Sequence, residues 1–288
     1  MHVRTVNDPL EFFACTEEFR SAGDRVGLVP TMGALHQGHF GLVEAAKRLC
    51  DRVCVSIFVN PLQFNNPADF DRYPRDFDAD AAALEAMGVA AIFVPGVEDI
   101  HPAPINMRVA TSGIVDRQEG AHRPGHFDGV ATVVSKLFIA VGKSKVFFGE
   151  KDYQQTRVIA DLIREFHFPV EMVVVPTVRE ADGLALSSRN RLLTRAARDA
   201  APAMYAAFQA GRANAVQGSA TAPVLASMRR LIEDRAAQTG AALAIDYLEA
   251  ASGEDLRSLE RFEAETRFFV AASYDGVRLI DNVAVFEK

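Results

Sequence analysis

Cysteine is scarce: Cys15, Cys50 and Cys54 are the only three in 288 residues. An odd number in apolar contexts, with no paired metal-ligand spacing, suits a reducing compartment, and a chain this long needs no disulfide or metal staple. No stretch approaches the roughly 20 apolar residues that a membrane-spanning helix requires. Residues 1–13 carry acids and Pro9 and have no apolar signal core, so a cytoplasmic protein without a membrane partner is expected. Excess positive charge is missing too. Lys plus Arg number 31 against 38 Asp plus Glu, a net charge of −7, which argues against a nucleic-acid-binding surface over much of the protein. There is no internal repeat and no low-complexity segment.

What is present is ordinary globular material, 49% hydrophobic and 24% charged, and at roughly 150 residues per domain the length gives two domains. Over the first 175 residues short apolar runs alternate with helix-period segments, the signature of βαβ units around a parallel sheet. Strands are expected at 25–30, 53–60, 90–95, 145–149 and 170–176, with helices at 38–50, 76–87, 128–141 and 152–167. Asp76, Asp78 and Asp80 sit in the first turns of the second helix, where the helix dipole favours negative charge, and Gly88 stops it. Beyond Pro176 come a polar loop, two Ala- and Arg-rich helical stretches and β-like segments at 243–249, 267–273 and 277–286. Asp275-Gly276 marks a hairpin turn between the last two. The expected fold is α/β with a second, smaller α+β domain, divided as 1–177 and 178–288.

Ligands of open parallel sheets bind outside the carboxyl ends of the strands. Four such ends carry polar clusters: Thr31-Met32-Gly33-Ala34-Leu35-His36-Gln37-Gly38-His39, Asn60-Pro61-Leu62-Gln63-Phe64, Gly149-Glu150-Lys151-Asp152-Tyr153-Gln154-Gln155 and Leu186-Ser187-Ser188-Arg189-Asn190. His36 and His39 lie three apart at a helix start, and Gly33 and Gly38 let backbone approach an anion, which makes a phosphate cradle. The same residues suit a plain turn capped by one histidine; zinc lacks its third and fourth ligands. Lys151 offers a point charge to phosphate and Asp152 an acid for Mg²⁺ through water, or Asp152 simply caps a helix. Ser187, Ser188 and Arg189 suit a transferring phosphoryl group, or a solvated loop. Arg123-Pro124-Gly125-His126 suits an anion clamp or a helix cap. Gln63 and Gln155 can read hydroxyl and carboxylate groups of a small polar substrate.

Together these segments resemble the pantothenate synthetases, the pantoate:β-alanine ligases of the HxGH nucleotidyltransferase superfamily. The likeness runs in order through 29–39, 58–64, Tyr73-Pro74-Arg75, 123–127, 148–155, 179–190 and Arg278-Leu279-Ile280-Asp281-Asn282. It implies a Rossmann-like, doubly wound amino-terminal domain binding ATP and pantoate, a smaller carboxyl-terminal lid, and a homodimer. It implies ATP contacts at Met32, Gly33, Ala34, Leu35, His36, Gln37, Gly38, His39, Gly149, Glu150, Lys151, Asp152, Val178, Leu186, Ser187, Ser188 and Arg189. His39 matches the catalytic proton donor, with His36, Lys151, Ser187, Ser188 and Arg189 beside the phosphates. Gln63 matches the residue touching both pantoate and β-alanine, and Gln155 a second pantoate ligand; Asn60 and Arg123 complete the expected substrate set. Asp80 and Asp152 are the acids expected near a Mg²⁺ held mainly by phosphates. Two positions depart from the family pattern: Leu186 stands where methionine is common, and Ile100-His101-Pro102 replaces a usual Tyr-Pro. The implied reaction condenses pantoate with β-alanine through pantoyl adenylate, releasing AMP and pyrophosphate. A nucleotidyltransferase that keeps the nucleotidyl group, or a non-catalytic ATP sensor, would share the 36–39 cradle.

Overall fold

Strands buried on both faces pair inside a parallel sheet with helices packed against each side. The computed structural model, which describes residues 3–64, 70–71 and 73–286, shows that arrangement. Among the described residues, β1 (Arg4–Val6), β2 (Val26–Thr31), β3 (Arg52–Ile57), β4 (Ala91–Phe93), β5 (Ser144–Gly149) and β6 (Val170–Val175) form one sheet in the order β1-β4-β3-β2-β5-β6. Every pairing is parallel. The helices are α1 (Pro9–Ser21), α2 (Gln37–Leu49), α3 (Phe77–Ala86), α4 (His126–Val141) and α5 (Tyr153–Phe166), with short turns between.

Strand alternation divides the core in two. Leu28, Cys54 and Phe93 join Phe12 of α1 and Phe138 of α4 in one cluster, where the Phe12 and Phe93 rings stack at 4.5 Å. Val29, Val55, Ile92 and Phe147 pack with Leu42, Val43 and Ala46 of α2 and Leu84 of α3 in the other. Cys15, Cys50 and Cys54 are buried free thiols inside these clusters, and burial raises the pKa of each.

Several boundaries differ from expectation. The sequence reading placed nothing before residue 25, yet β1 and α1 fill that stretch; Asp8 caps α1 by accepting from the amides of Leu10 and Glu11, with Pro9 in the first turn. β3 ends at Ile57 and not at 60, because Asn60 and Pro61 open a 3₁₀ turn. Where two Ala- and Arg-rich helical stretches are expected, three helices stand: Pro202 separates α6 (Arg195–Ala200) from α7 (Ala203–Asn214), and α8 (Ala222–Thr239) follows. The remaining β7 (Leu243–Ser252), β8 (Thr266–Tyr274) and β9 (Val277–Ala284) are antiparallel in that order. Asp275 and Gly276 link β8 to β9 with φ of 50° and 81°, the left-handed pair that a tight hairpin uses.

The chain separates into two compact units, Met1–Glu150 with Gln154–Pro176, and Lys151–Tyr153 with Thr177–Lys288. Residues 1–2 and 287–288, which the expected domain bounds take in, lie outside the described residues.

Gly129 sets how closely α4 meets the turn after β3. A Cβ built there would stand 2.4 Å from the Leu62 carbonyl oxygen and 2.8 Å from the Gln63 nitrogen. Helix propensity alone favours Gly129→Ala by about 1 kcal/mol. The clash with backbone outweighs it, so a net loss of about 1–3 kcal/mol is expected. Gly149→Ala, with nothing within 4 Å of its added carbon, is expected to stay within about 0.5 kcal/mol. Urea midpoints check both; a stabilised Gly129→Ala variant would contradict this packing.

Candidate active site

β2 lies between β3 and β5, and the chain leaves it toward β3 first and returns to β5 later. The loop after β2 therefore opens at the point where strand order reverses, the crevice of doubly wound sheets. Thr31 Oγ1 donates to the Ser56 carbonyl at 2.7 Å and accepts from the Gly33 amide at 3.2 Å. Gly33 and Ala34 both take positive φ, 78° and 50°. That bend turns two amides toward Asp80, whose Oδ2 accepts from Ala34 N and Oδ1 from Leu35 N, each at 2.8 Å. Asp80 is 5% exposed. Asp80, expected near Mg²⁺, places both of its oxygens on the amides of this loop.

His36 and His39 cap α2 reciprocally. His36 Nδ1 accepts from Gly38 N at 3.1 Å, and His39 Nδ1 accepts from the His36 amide at 3.3 Å. An Nδ1 that accepts is unprotonated, so in each ring the proton sits on Nε2. The rings lie 4.1 Å apart. The plain-turn and phosphate readings are thus compatible: each histidine caps with one nitrogen and carries a donor on the other.

After β3, Gln63 is gripped at both its backbone and its side chain. Its carbonyl accepts from Arg123 Nη2 at 3.2 Å and from His126 Nδ1 at 2.9 Å. His126 Nε2 meets Arg123 Nη1 at 3.2 Å, which fixes this ring as the Nδ1–H tautomer. Arg123, expected as a substrate clamp, holds the Gln63 carbonyl. Asn60, also expected in the substrate set, is engaged in a similar way. It is 1% exposed; its Nδ2 donates to the Gly129 carbonyl at 3.0 Å and to Gln63 Oε1 at 3.2 Å. Its Oδ1 accepts from Leu62 N at 3.2 Å and faces His101 Nε2 at 2.9 Å. With both side-chain atoms so engaged, Asn60 brackets the loop that carries Gln63. Gln63 Nε2 points at Met32 Sδ, 2.9 Å away, joining the second cluster to the first.

Gly149 ends β5 beside open space, and Gln155 stands half-buried in the first turn of α5. Its neighbour Gln154 is structural: it accepts from Glu119 N and donates to the carbonyls of Ile114 and Arg117.

In the second unit, the Lys151 carbonyl accepts from Asn282 Nδ2 at 2.9 Å, and Asn282 Oδ1 accepts from Arg267 Nη2 at 2.7 Å. Lys151 Nζ lies 3.7 Å from Asp152 Oδ1. Arg179 clasps Asp281 through both terminal nitrogens, at 2.6 and 2.9 Å, and stacks 4.0 Å over Tyr205. Val178 accepts from Leu186 N at 3.0 Å, and Ser187 Oγ caps the turn of Ser188–Leu192 by accepting from Arg189 N. Glu150 ends the first segment of the first unit. Among the described residues no three His, Cys, Asp or Glu side chains gather as a metal cage, and no helix is long and apolar enough to cross a membrane.

Fold and loops define a doubly wound α/β enzyme with its ligand edge at the carboxyl ends of β2 and β5. Comparison narrows this. The family model for pantoate-beta-alanine ligase matches residues 4–284. A pantothenate synthetase of Cereibacter sphaeroides is 50% identical over 96% of this chain and 97% of its own. A crystal structure of pantothenate synthetase from Thermus thermophilus superposes with a TM-score of 0.86 at 44% identity, covering 99% of this chain and 100% of that one. A pantoate-beta-alanine ligase from Francisella tularensis, solved in complex with beta-gamma ATP and beta-alanine, gives 0.81 at 32% identity, with 99% of each chain covered. The chain belongs to the pantoate-beta-alanine ligase family, and its activity is the joining of pantoate to β-alanine.

His101 escaped the motif reading except as a departure, and it titrates abnormally. Burial, helped by the Lys136 and Arg108 cations, holds its imidazole down at about 4. A histidine kept neutral in the folded chain but protonating near 6.5 when unfolded contributes stability that is complete above that pH and drains away toward pH 4. The native chain is expected to lose on the order of 3 kcal/mol across that window that His101→Gln does not lose. Urea unfolding of both proteins at several pH values measures the difference, and parallel curves would refute it.

Proposed function

We propose that the ligation is driven by ATP through a pantoyl adenylate. The carboxylate of pantoate attacks the α-phosphorus of ATP and pyrophosphate departs; the amine of β-alanine, having lost its proton, then attacks the acyl carbon and AMP departs. Pantoate's carboxylate is already ionised at neutral pH, so the first step needs two anions brought into line more than it needs a base. Preorganised donors that meet charge growing on phosphate oxygens are the main requirement.

The observation that carries this reading is the reciprocal cap of His36 and His39, which commits both Nδ1 atoms to backbone amides and leaves both protons on Nε2. Such donors are fixed before any ligand arrives. In the first unit, the Met32–His39 segment and the open end of β5 at Gly149 suit nucleotide phosphates, with Gln63 and Gln155 reserved for pantoate. In the second, Lys151, Ser187, Ser188 and Arg189 supply charge and hydroxyls, and Asp152 is the acid that could reach Mg²⁺ through water. The ion itself would be carried by the phosphates. The Francisella relative, solved with beta-gamma ATP and beta-alanine, supports the nucleotide and the amine. In this reading the enzyme works as a cytoplasmic homodimer, as the family resemblance implies.

Pantoate-dependent exchange of pyrophosphate into ATP, measured without β-alanine, isolates the first step. His39→Ala and Lys151→Ala are each expected to fold and to exchange at least about a hundredfold more slowly. Exchange near the native rate in both would overturn the assignment, and free AMP appearing only when β-alanine is added distinguishes ligase from nucleotidyltransferase.

A further inference from the structure

Behind Gln63 runs a buried hydrogen-bond chain in which every link has a determinate sense. It starts at Lys136, on α4, whose ammonium can only donate. Lys136 Nζ gives one hydrogen bond to the Ile100 carbonyl and another to His101 Nδ1, 3.2 Å away. Nδ1 is therefore an acceptor and Nε2 carries the proton, which goes to Asn60 Oδ1 at 2.9 Å. With its oxygen so used, Asn60 presents Nδ2 to Gln63 Oε1 at 3.2 Å. Gln63 in turn directs its Nε2 edge to the thioether of Met32. His101 and Asn60 are 2% and 1% exposed, so water does not compete for these links.

Reversing any member sets donor against donor. A flipped Asn60 would aim its amide hydrogens at His101 Nε2–H; a flipped Gln63 would aim its own at Asn60 Nδ2. Protonating His101 would place Nδ1–H against the Lys136 ammonium, and the depressed pKa of the ring keeps that form rare at neutral pH. Sulfur is a weak acceptor, so the Nε2 donors are held in place by a partner that a ligand oxygen readily outcompetes.

We propose that His101 is a positioning residue of the ligase: with Lys136 and Asn60 it orients the Gln63 amide so that its NH₂ edge, and not its oxygen, is offered to the carboxylate or hydroxyl oxygens of the acid substrate. The proposal rests on Gln63 being the substrate contact of the preceding section. Arg123 and His126 fix where Gln63 sits, through its carbonyl; the Lys136–His101–Asn60 relay fixes which way its side chain faces.

The test uses the full chain and compares His101→Phe, which keeps a ring and removes both nitrogens, with His101→Gln, whose amide hydrogens can replace Nε2–H. Losing a hydrogen bond to an ionised group typically weakens binding by about 10- to 100-fold. The KM for pantoate is expected to rise by that order in His101→Phe, with the KM for ATP within about twofold, and to return to within about threefold of native in His101→Gln. Gln63→Ala should raise the pantoate KM at least as far, and adding His101→Phe to it should change nothing more. Should His101→Phe fail to fold, Lys136→Met carries the test, with a smaller rise in the same direction. Equal effects on pantoate and ATP, or a His101→Phe effect that persists beside Gln63→Ala, would overturn the relay. A Gln63→Ala variant with native pantoate KM would instead remove the reading beneath it, and absence of pantoate-dependent exchange in the native enzyme would remove the adenylate mechanism.

Discussion

The edge of a parallel sheet imposes one demand on everything beyond it. Where strands stop, the chain still carries amides and carbonyls that no neighbouring strand answers, and buried groups of that kind must be met. Asp80 answers two of them at once, holding Ala34 N and Leu35 N at 2.8 Å. Both bonds are accepted by a side chain on α3, a helix laid against the sheet. The loop that carries His36 and His39 is shaped from below by this carboxylate, and the two rings then complete the turn by capping one another's backbone.

A division of labour follows among the polar side chains at that edge. Asp80, Asn60, Arg123 and His126 are spent on backbone or on one another. The Nε2 edges of His36 and His39 and the amide of Gln63 are what this scaffolding presents. Orientation at a catalytic site is worth several kcal/mol of barrier when reacting groups are held in line, so residues that hold those groups bear on rate. Gly129 belongs with them: its missing side chain admits the Leu62 and Gln63 backbone to van der Waals distance of α4.

Much of this was legible in the residues. Strand alternation located β2 to β6 to within a few positions, and Asp275-Gly276 named its own turn. β1 was not legible because three residues are too few to show a period, and α1 was overlooked although Asp8 and Pro9 form an ordinary helix start. Two helical stretches were legible beyond Pro176 where three helices stand, because alanine dominates the first and Pro202 alone decides its break. Harder to read were Asp80, Asn60 and Arg123. A carboxylate, amide or guanidinium near a strand end has the same composition whether it faces a ligand or the backbone of another loop. Only the three-dimensional partner distinguishes the two, and those partners lie 46, 69 and 60 residues away in sequence. His101 could be marked only as a departure, since its meaning depends on Asn60 and Lys136, 41 and 35 residues distant.

Lys151 shows the same logic in the second unit. A linear boundary at 177 assigns it to the sheet domain, but its carbonyl is held by Asn282, Asn282 by Arg267, and Arg267 lies 4.0 Å over the Tyr153 ring. Tyr153 in turn donates its hydroxyl to the Gly253 carbonyl at 2.7 Å. Three residues are thereby fastened to the antiparallel sheet by their backbone and an aromatic face. Next to them, Asp281 is buried against Arg179, its pKa pushed up by desolvation while the guanidinium pulls it back down. Ion pairs so deeply placed gain little net stability, because removing two charges from water offsets their attraction. What the pair does supply is geometry. It joins β9 to the segment running toward Ser187–Arg189, so the cation at 151 and the hydroxyls at 187 and 188 are carried by one framework whose hydrogen bonds are already made.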